Sequence, residues 1–300
     1  MNIRTCSIFL LSLFIFCNAA FAVTDTNEIL KNAVSTDEAA TDAAIKSLRE
    51  MRQDGLNALL AKYQNEIDHY KKTGERSAEW QRIARAIDRV AMQKDAYASG
   101  LYWYTDLNEA KTYAQKSNKP ILSLRLLGQL SEEYSCANSR FFRSILYSNS
   151  KIASYLRENY VLHWKSVRPA PKVTIDFGDG RKIVRTITGN SIHYILNSEG
   201  KIIDALPGLY SPNEFIVYLA RVNSLQNRFS PNIRSYQTNQ LDWLTRKWNA
   251  DSMKIGLKTE DLETPASAKP TALEAAPRAV TKSVVESPLV RSITIEAEAP

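Results

Sequence analysis

The chain has 300 residues, a formal net charge of +7 and 44% hydrophobic side chains, enough for one or two domains with a substantial core. Its basic residues are interspersed with acidic ones and form no run with interleaved aromatics, so the composition argues against a nucleic-acid-binding protein. Three cysteines are too few for a disulfide-stapled fold.

The N-terminus has the pattern of a secretory signal peptide. Arg4 precedes an apolar run over residues 8–16, and residues 20–22 form an A-x-A cleavage site. The run is too short to cross a membrane, and no later segment is long and apolar enough either. The sequence therefore predicts cleavage after Ala22 and an exported protein, periplasmic or extracellular, without a transmembrane segment.

Cys136 is the only cysteine outside this predicted signal peptide, because Cys6 and Cys17 lie within it. A mature chain with one cysteine cannot form an internal disulfide. Stability must then come from packing, and a role as a covalent staple is excluded for Cys136.

Two amphipathic helices are predicted after the signal peptide. Apolar residues recur at three- and four-residue steps from Asp37 to Lys71, and again from Trp80 to Val90, with a break at Gly74. Two such helices with a short break indicate a helical hairpin. The hairpin either packs within the chain or provides a surface for a partner or another copy.

An alternating α/β pattern follows. It predicts a strand, a helix, a strand, a second helix, a strand, a hairpin and a last helix. In that order, the elements are Leu101–Tyr104, Leu107–Ser117, Ile121–Leu127, Phe141–Leu156, Tyr160–Val167, the pair Ile192–Leu196 and Ile202–Leu206, and Pro212–Leu225. An extra hairpin is predicted over 172–187, because Asp179-Gly180 separates two alternating runs.

The C-terminal part is predicted to hold one helix and a disordered tail. The helix runs from Phe229 to Lys254, with Leu241, Leu244 and Trp248 on one face. Residues 256–300 have no aromatics and are rich in Ala, Pro, Glu, Ser and Thr, a composition that cannot bury enough surface to fold.

Together these patterns predict an α/β protein of five segments. They are a signal peptide at 1–22, an N-terminal helical hairpin at 23–98, an α/β domain at 99–227, a C-terminal helix at 228–255 and a disordered tail at 256–300.

Several short segments in a particular order and spacing carry a family resemblance. They are Trp103 with 106–110, then 118–122, 147–149, 152–153, 156–161, 196–200 and 208–215. This stretch, under half of the chain, resembles the thioredoxin superfamily, especially its exported thioredoxin-related branch. The resemblance implies a thioredoxin-like sheet flanked by helices, with a helix–strand–helix–strand core followed by a terminal hairpin and helix.

The resemblance also implies a redox site. Where the family has Cys-x-x-Cys at the start of a helix, this chain has Cys136 and Ser139. The first cysteine of that motif attacks a target disulfide and the second resolves the mixed disulfide, so only the first role carries over, to Cys136. Ser191 stands where the family has a cis-proline facing the thiol. Residues 129–134 are extra and are positioned to cover or reshape the site.

The chemistry expected of Cys136 has two alternatives. A helix N-terminus favours the thiolate, and Arg140 would add to this effect, whereas Glu132 and Glu133 oppose it. His193 shares a strand face with the Ser191 position and is a candidate base. The alternative hypothesis is that Cys136 is inert and buried and acts as a small hydrophobic residue.

These alternatives lead to two functional hypotheses. The first is one-cysteine thiol–disulfide exchange or isomerisation, with Cys136 as nucleophile and a protein disulfide as substrate. The second is a non-catalytic binding or scaffold module of the cell envelope, in which the helical hairpin or the extra β-hairpin holds a protein partner. No metal-ligand spacing and no glycine-rich phosphate loop is present, so the sequence predicts neither a metal nor a cofactor.

Overall fold

The computed structural model describes residues 26–186, 188–226 and 233–254. Within them, a mixed four-stranded sheet has helices on both faces. Its strands are β1 (Ile121–Leu127), β2 (Val161–Arg168), β5 (Ser191–Leu196) and β6 (Ile202–Pro207), in the spatial order β2-β1-β5-β6. β1 pairs in parallel with β2 and antiparallel with β5, and β6 pairs antiparallel with β5.

The central strand β1 has the bounds predicted from its apolar run. Its alternate side chains enter two different hydrophobic cores. Leu122, Leu124 and Leu126 face the first core, and Ile121 faces the second core. A strand covered on both faces is apolar along nearly its whole length, which explains why β1 was recognisable in the sequence.

The N-terminal region has more helices than the predicted hairpin. A short helix spans 26–32, and the predicted helix 37–71 is in fact three helices. The four that follow residue 36 are α2 (Glu38–Glu50), α3 (Gln53–Lys62), α4 (Gln64–Thr73) and α5 (Ala78–Ala91). The short helix at 26–32 is α1. Helices α1 to α5 contribute most of the apolar residues of the second core, which also contacts the sheet.

The break between α2 and α3 has a local cause. Arg52 has φ 60° and ψ −130°, a backbone conformation that turns the chain sharply. Gly55 then lies so close to α2 that a Cβ on it would be 2.1 Å from the carbonyl oxygen of Leu48. Because only glycine permits this approach, α3 folds back on α2 and does not continue it.

Helix α6 (Leu107–Ser117) has the predicted bounds. Asp106 caps it, since its carboxylate accepts hydrogen bonds from the backbone N–H groups of Asn108 at 2.7 Å and Glu109 at 2.9 Å. The strand predicted over 101–104 is wrong. Only Tyr104 joins the sheet, through a single parallel bridge to His163 on β2.

The single helix predicted over 141–156 is also wrong. The chain forms α7 (Ala137–Phe141), a π-helical turn (Phe142–Leu146) and then α8 (Ser150–Asn159). The N–H of Tyr147 donates to the carbonyl of Phe142 at 2.7 Å, the five-residue step of a π-turn. Asn149 then starts α8 anew by accepting the N–H groups of residues 151 and 152.

The extra hairpin is confirmed as β3 (Lys172–Asp176) and β4 (Lys182–Thr186), which form a separate two-stranded antiparallel sheet. Residue 187, the end of the predicted hairpin, lies outside the described residues. In β3 every side chain is exposed, so this hairpin stands out from the body of the protein.

The last two helices are α9 (Pro212–Gln226) and α10 (Ile233–Lys254). The predicted inward face of α10 is wrong for Leu241, which is 64% exposed, and the side chains of Leu244 and Trp248 lie outside the described part. The face that α10 buries carries Tyr236 and Gln240, with Trp243 partly buried against the first core.

The predicted signal peptide at 1–22 and the predicted disordered tail at 256–300 both lie outside the described residues. Among the helices of the described part, none has the length and apolar character needed to span a bilayer.

Candidate functional site

The segment around Cys136 begins where β1 ends. Gly128 follows the strand with φ 71°, and a Cβ on it would be 3.1 Å from the Cα of Ser135. The N–H of Cys136 donates to the carbonyl of Leu127 at 3.2 Å. The chain therefore leaves the strand, makes an excursion over 128–135 and returns to the place it left.

The excursion contains the extra residues 129–134. Leu130 is fully buried in the first core, and its carbonyl accepts the N–H of Lys94 at 3.0 Å. Glu132 and Glu133 are exposed. The loop is thus anchored by one apolar side chain and by one backbone hydrogen bond from the turn after α5.

Cys136 is a free cysteine with 0% of its surface exposed. It is the N-cap residue of α7, and its Sγ lies 3.7 Å from the carbonyl oxygen of Asn190. The predicted position at a helix start is confirmed. In this conformation, however, the thiol belongs to the hydrophobic core of the sheet and is closed to a macromolecular disulfide.

Residue 186 and the segment 188–191 close the site from the other side. The N–H of Ala137 donates to the carbonyl of Thr188 at 3.2 Å, and the amide of Asn138 donates to Oγ of Ser191 at 2.8 Å. The hydroxyl of Thr186 donates to the carbonyl of Ser135 at 3.0 Å. These contacts form a seam, defined here as 135–138 against residues 186 and 188–191, that covers the thiol.

Ser191 stands at the position that the resemblance gives to a cis-proline, and the described peptide bonds are all trans. The residue does face the cysteine segment, through its bond to Asn138. Its hydroxyl therefore accepts a hydrogen bond from the buried amide of Asn138 and connects the two segments.

Gly189 is the tightest point of this seam. A Cβ there would be 2.2 Å from Oδ1 of the buried Asn138. We expect Gly189→Ala to lower the free energy of unfolding by about 2 kcal/mol, because Asn138 must leave its bond to Ser191. Urea unfolding measures this cost.

A double-mutant cycle tests the cause. In an Asn138→Ala background, the Gly189→Ala substitution should cost less than half as much, because the clashing amide is gone. Equal costs in both backgrounds would contradict the proposed clash.

Ser139, the residue at the resolving position, is also fully buried. Its hydroxyl has no hydrogen-bond partner among the described residues, and the same holds for Oγ of Ser135 and Oγ1 of Thr188. The sequence placed Ser139 beside Cys136 but had no signal for its burial.

The arginines that follow Cys136 have different surroundings. Arg140 is partly buried, and its N–H donates to the carbonyl of Cys136 at 3.2 Å. The guanidinium of Arg143 is buried and lies 2.8 Å from the carboxylate of Asp95, with Glu133 at 4.0 Å. The positive charge of Arg143 is therefore matched by carboxylates from the loops around it.

His193, the candidate base, is fully buried on β5. Its Nε2 lies 2.6 Å from the hydroxyl of Tyr147, and its ring meets those of Phe142 and Phe215 edge-on. Burial lowers the pKa of His193 to about 3. Among the described residues, this ring thus hydrogen-bonds to Tyr147 and not to Cys136, and it is neutral at physiological pH.

Sequence reasoning missed a second buried histidine, which pairs with a serine. His163 on β2 lies beside Ser123 on β1, with its Nδ1 2.8 Å from the serine hydroxyl. Burial, with Arg125 as a smaller cause, lowers the pKa of His163 to about 4. Ser123 interrupts the apolar run of β1, and that interruption is the only trace of the pair in the sequence.

The β3–β4 hairpin provides the other candidate surface. Its odd-numbered residues share one face, which includes four large apolar side chains, while its even-numbered residues form a polar face that includes one apolar residue, Val184. The four are Val173, Ile175, Phe177 and Ile183, exposed by 39%, 49%, 50% and 36%. We name these four side chains the apolar face of the hairpin.

Charged residues border this apolar face. Arg181 stacks on the ring of Phe177 at 5.2 Å, and Arg185 lies opposite Val173 in the ladder. On the polar face Asp176 forms an ion pair with Lys182 at 3.1 Å. An exposed cluster of large apolar residues with a charged border is typical of a protein interaction surface.

No protein-family model and no curated protein matches this chain. Within the described residues there is also no group of three or more His, Cys, Asp or Glu side chains that could hold a metal ion.

Proposed function

We propose that this chain is an exported protein of the thioredoxin superfamily that acts as a non-catalytic binding module, with the β3–β4 hairpin as its binding element. The carrying observation is the apolar face of the hairpin, which leaves four large apolar side chains in contact with solvent. An isolated two-stranded hairpin is marginally stable in water, so a partner that adds strands to it or packs against this face gains apolar burial and stabilises the hairpin.

The order of elements supports the superfamily part of the proposal. The resemblance implies a helix–strand–helix–strand core followed by a terminal hairpin and helix. The chain has α6, β1, α7 and α8, and β2, and then β5, β6 and α9 in this order. The hairpin β3–β4 occupies the connection from β2 to β5, where the sequence predicted an extra hairpin.

The burial of Cys136 supports the non-catalytic part. Disulfide exchange needs an accessible thiolate in line with a target disulfide. Here the thiol lies under the seam, Ser139 is buried beside it and His193 bonds to Tyr147. One-cysteine exchange at Cys136, the other hypothesis from the sequence, would first require the seam to open.

Alkylation of the native protein tests this proposal. We expect Cys136 to react with iodoacetamide about 1000-fold or more slowly than an exposed thiol, because the reaction must wait for local opening. The matched control is Ser144→Cys in a Cys136→Ser background, since Ser144 is exposed on the same helical segment. Both thiols should react equally fast in denaturant.

Native labelling within about 10-fold of the control would refute the non-catalytic assignment. So would mixed disulfides on non-reducing gels that vanish in Cys136→Ala and become short-lived in Ser139→Cys. Those two results together would instead support one-cysteine exchange with a protein disulfide.

A further inference from the structure

The outer edge of strand β3 has unpaired backbone groups. The N–H of Phe177 donates to the carbonyl of Arg181 at 3.1 Å, which makes this a hydrogen-bonded pair of the antiparallel ladder. Such pairs alternate with non-hydrogen-bonded ones, so the backbone groups of Lys172, Thr174 and Asp176 point away from β4. In the described part of the chain, no third strand meets them.

The sequence of this edge is complementary to itself. If two β3 strands pair antiparallel with Thr174 opposite Thr174, then Lys172 of each strand lies opposite Asp176 of the other. In the same register Val173 lies opposite Ile175. Cross-strand pairs of opposite charge and of β-branched residues both stabilise a sheet.

The backbone of the edge matches the same register. Residues directly opposite each other exchange both hydrogen bonds in a hydrogen-bonded pair. The three residues whose backbone groups point outward are Lys172, Thr174 and Asp176, and these are the residues that this register pairs. Charge, side-chain type and hydrogen-bonding direction therefore agree on one arrangement.

We propose that the partner of the hairpin is a second copy of this chain, joined through antiparallel pairing of the two β3 strands about a two-fold axis at Thr174. This inference rests on the proposed role of the hairpin as the binding element. The product is a four-stranded sheet, β4-β3-β3-β4, with an isologous interface.

Pairing at the edge also explains the arrangement of charge better than stacking of the apolar faces does. Arg181 and Arg185 lie on the same face as Ile175 and Ile183, so stacking two such faces would bring arginines of both copies together. Edge pairing keeps them apart. It also places the apolar faces of the two copies side by side, so that Val173 of one copy packs against Ile175 of the other.

Sedimentation velocity of the purified full chain tests the proposal. We expect a monomer–dimer equilibrium over about 1–200 µM, the range of a transient to moderate interface. Thr174→Pro removes an N–H that points outward and leaves the ladder with β4 intact, so it should abolish the dimer. The matched control is Val184→Pro, directly opposite on β4, whose N–H points to the other edge.

Charge reversal tests the register. The measurements use a Lys182→Gln background, because Lys182 pairs with Asp176 within its own hairpin. Lys172→Glu and Asp176→Lys should each weaken dimerisation at least about 10-fold, since each places like charges opposite each other twice per dimer. The combined exchange should restore the affinity to within about 3-fold.

A wild-type chain that stays monomeric over this range overturns self-pairing and leaves the apolar face for a different protein. A dimer that Val184→Pro abolishes and Thr174→Pro does not would place the interface on the β4 edge, which also overturns it. A dimer insensitive to both charge reversals would indicate stacked faces and refute the register. None of these results depends on thiol labelling, so the proposed function is tested separately.

Discussion

Lowering the pH from 7 to 5 should reduce the free energy of unfolding by about 4 kcal/mol, about 2 kcal/mol for each of two buried histidines. His163 and His193 are both fully buried, and burial lowers the pKa of the first to about 4 and of the second to about 3. In the unfolded chain both have ordinary pKa values near 6.5.

The sign follows from these shifts. Below about pH 6.5 the unfolded chain binds a proton at each histidine while the folded protein does not, so acid favours unfolding. The stability of the folded protein is therefore undiminished above that pH. It declines as the pH falls from about 6.5 toward the lowered pKa values that the two histidines have in the folded state. Each histidine then contributes a slope of about 1.4 kcal/mol per pH unit.

Urea unfolding at half-unit steps of pH measures the effect. His193→Phe should remove about half of the pH dependence, and it is a reasonable fit because the ring already lies between Phe142 and Phe215. His69→Gln is the control, since His69 is exposed and pairs with Glu75 at the surface. A flat profile for the wild type, or an unchanged one for His193→Phe, would contradict the burial of these rings as neutral groups.

Gly55→Ala should destabilise the protein by about 3 kcal/mol or more, and it is the largest effect that we expect of a single methyl group. Helix propensity alone would predict that Gly55→Ala stabilises the protein, because alanine is about 1 kcal/mol more favourable than glycine inside a helix. The steric effect dominates because the new Cβ would lie 2.1 Å from the carbonyl oxygen of Leu48. That oxygen belongs to the backbone of α2 and cannot rotate away.

The control variant is Gly74→Ala, which measures the cost of a positive φ angle at a site where the added methyl group meets no other atom. Gly74 has φ 70° and open space around it, so alanine there should cost only about 1 kcal/mol. Thermal and urea unfolding of both variants measure the difference. A Gly55→Ala variant as stable as the wild type would mean that α2 and α3 do not approach this closely.

The elements that could be predicted are those whose causes are local. Helix α6 has its cap Asp106 immediately before it, and β1 has an apolar run, interrupted by Ser123 and Arg125, that ends at Gly128. Asp179-Gly180 likewise specified the β3–β4 hairpin within a few residues. In each case the residues that determine the element are its own neighbours.

The errors arose where a distant contact decides. The break between α2 and α3 depends on how Gly55 meets Leu48, and no periodicity reports that contact. The π-turn before Tyr147 aims its hydroxyl at His193, 46 residues further along. On α10, Leu241 fitted an apolar stripe, but the helix turns Tyr236 and Gln240 inward.

The candidate site divides in the same way. The position of Cys136 at the start of a helix could be predicted, and it is confirmed. Its accessibility could not, because the seam joins residues about fifty positions apart, such as Asn138 and Ser191. The sequence therefore had to leave open the choice between a reactive thiol and an inert one.

The burial of this one thiol has a practical consequence for the study of dynamics. Since Cys136 is covered by residues from two separate segments, it can react only in those molecules whose seam has parted. Its labelling rate, divided by the rate of a free thiol, then gives the equilibrium constant for that local event when reclosure is fast. In a chain that lacks the predicted signal peptide with its Cys6 and Cys17, this thiol is a native, single-site reporter of motion at the junction of the sheet and helix α7.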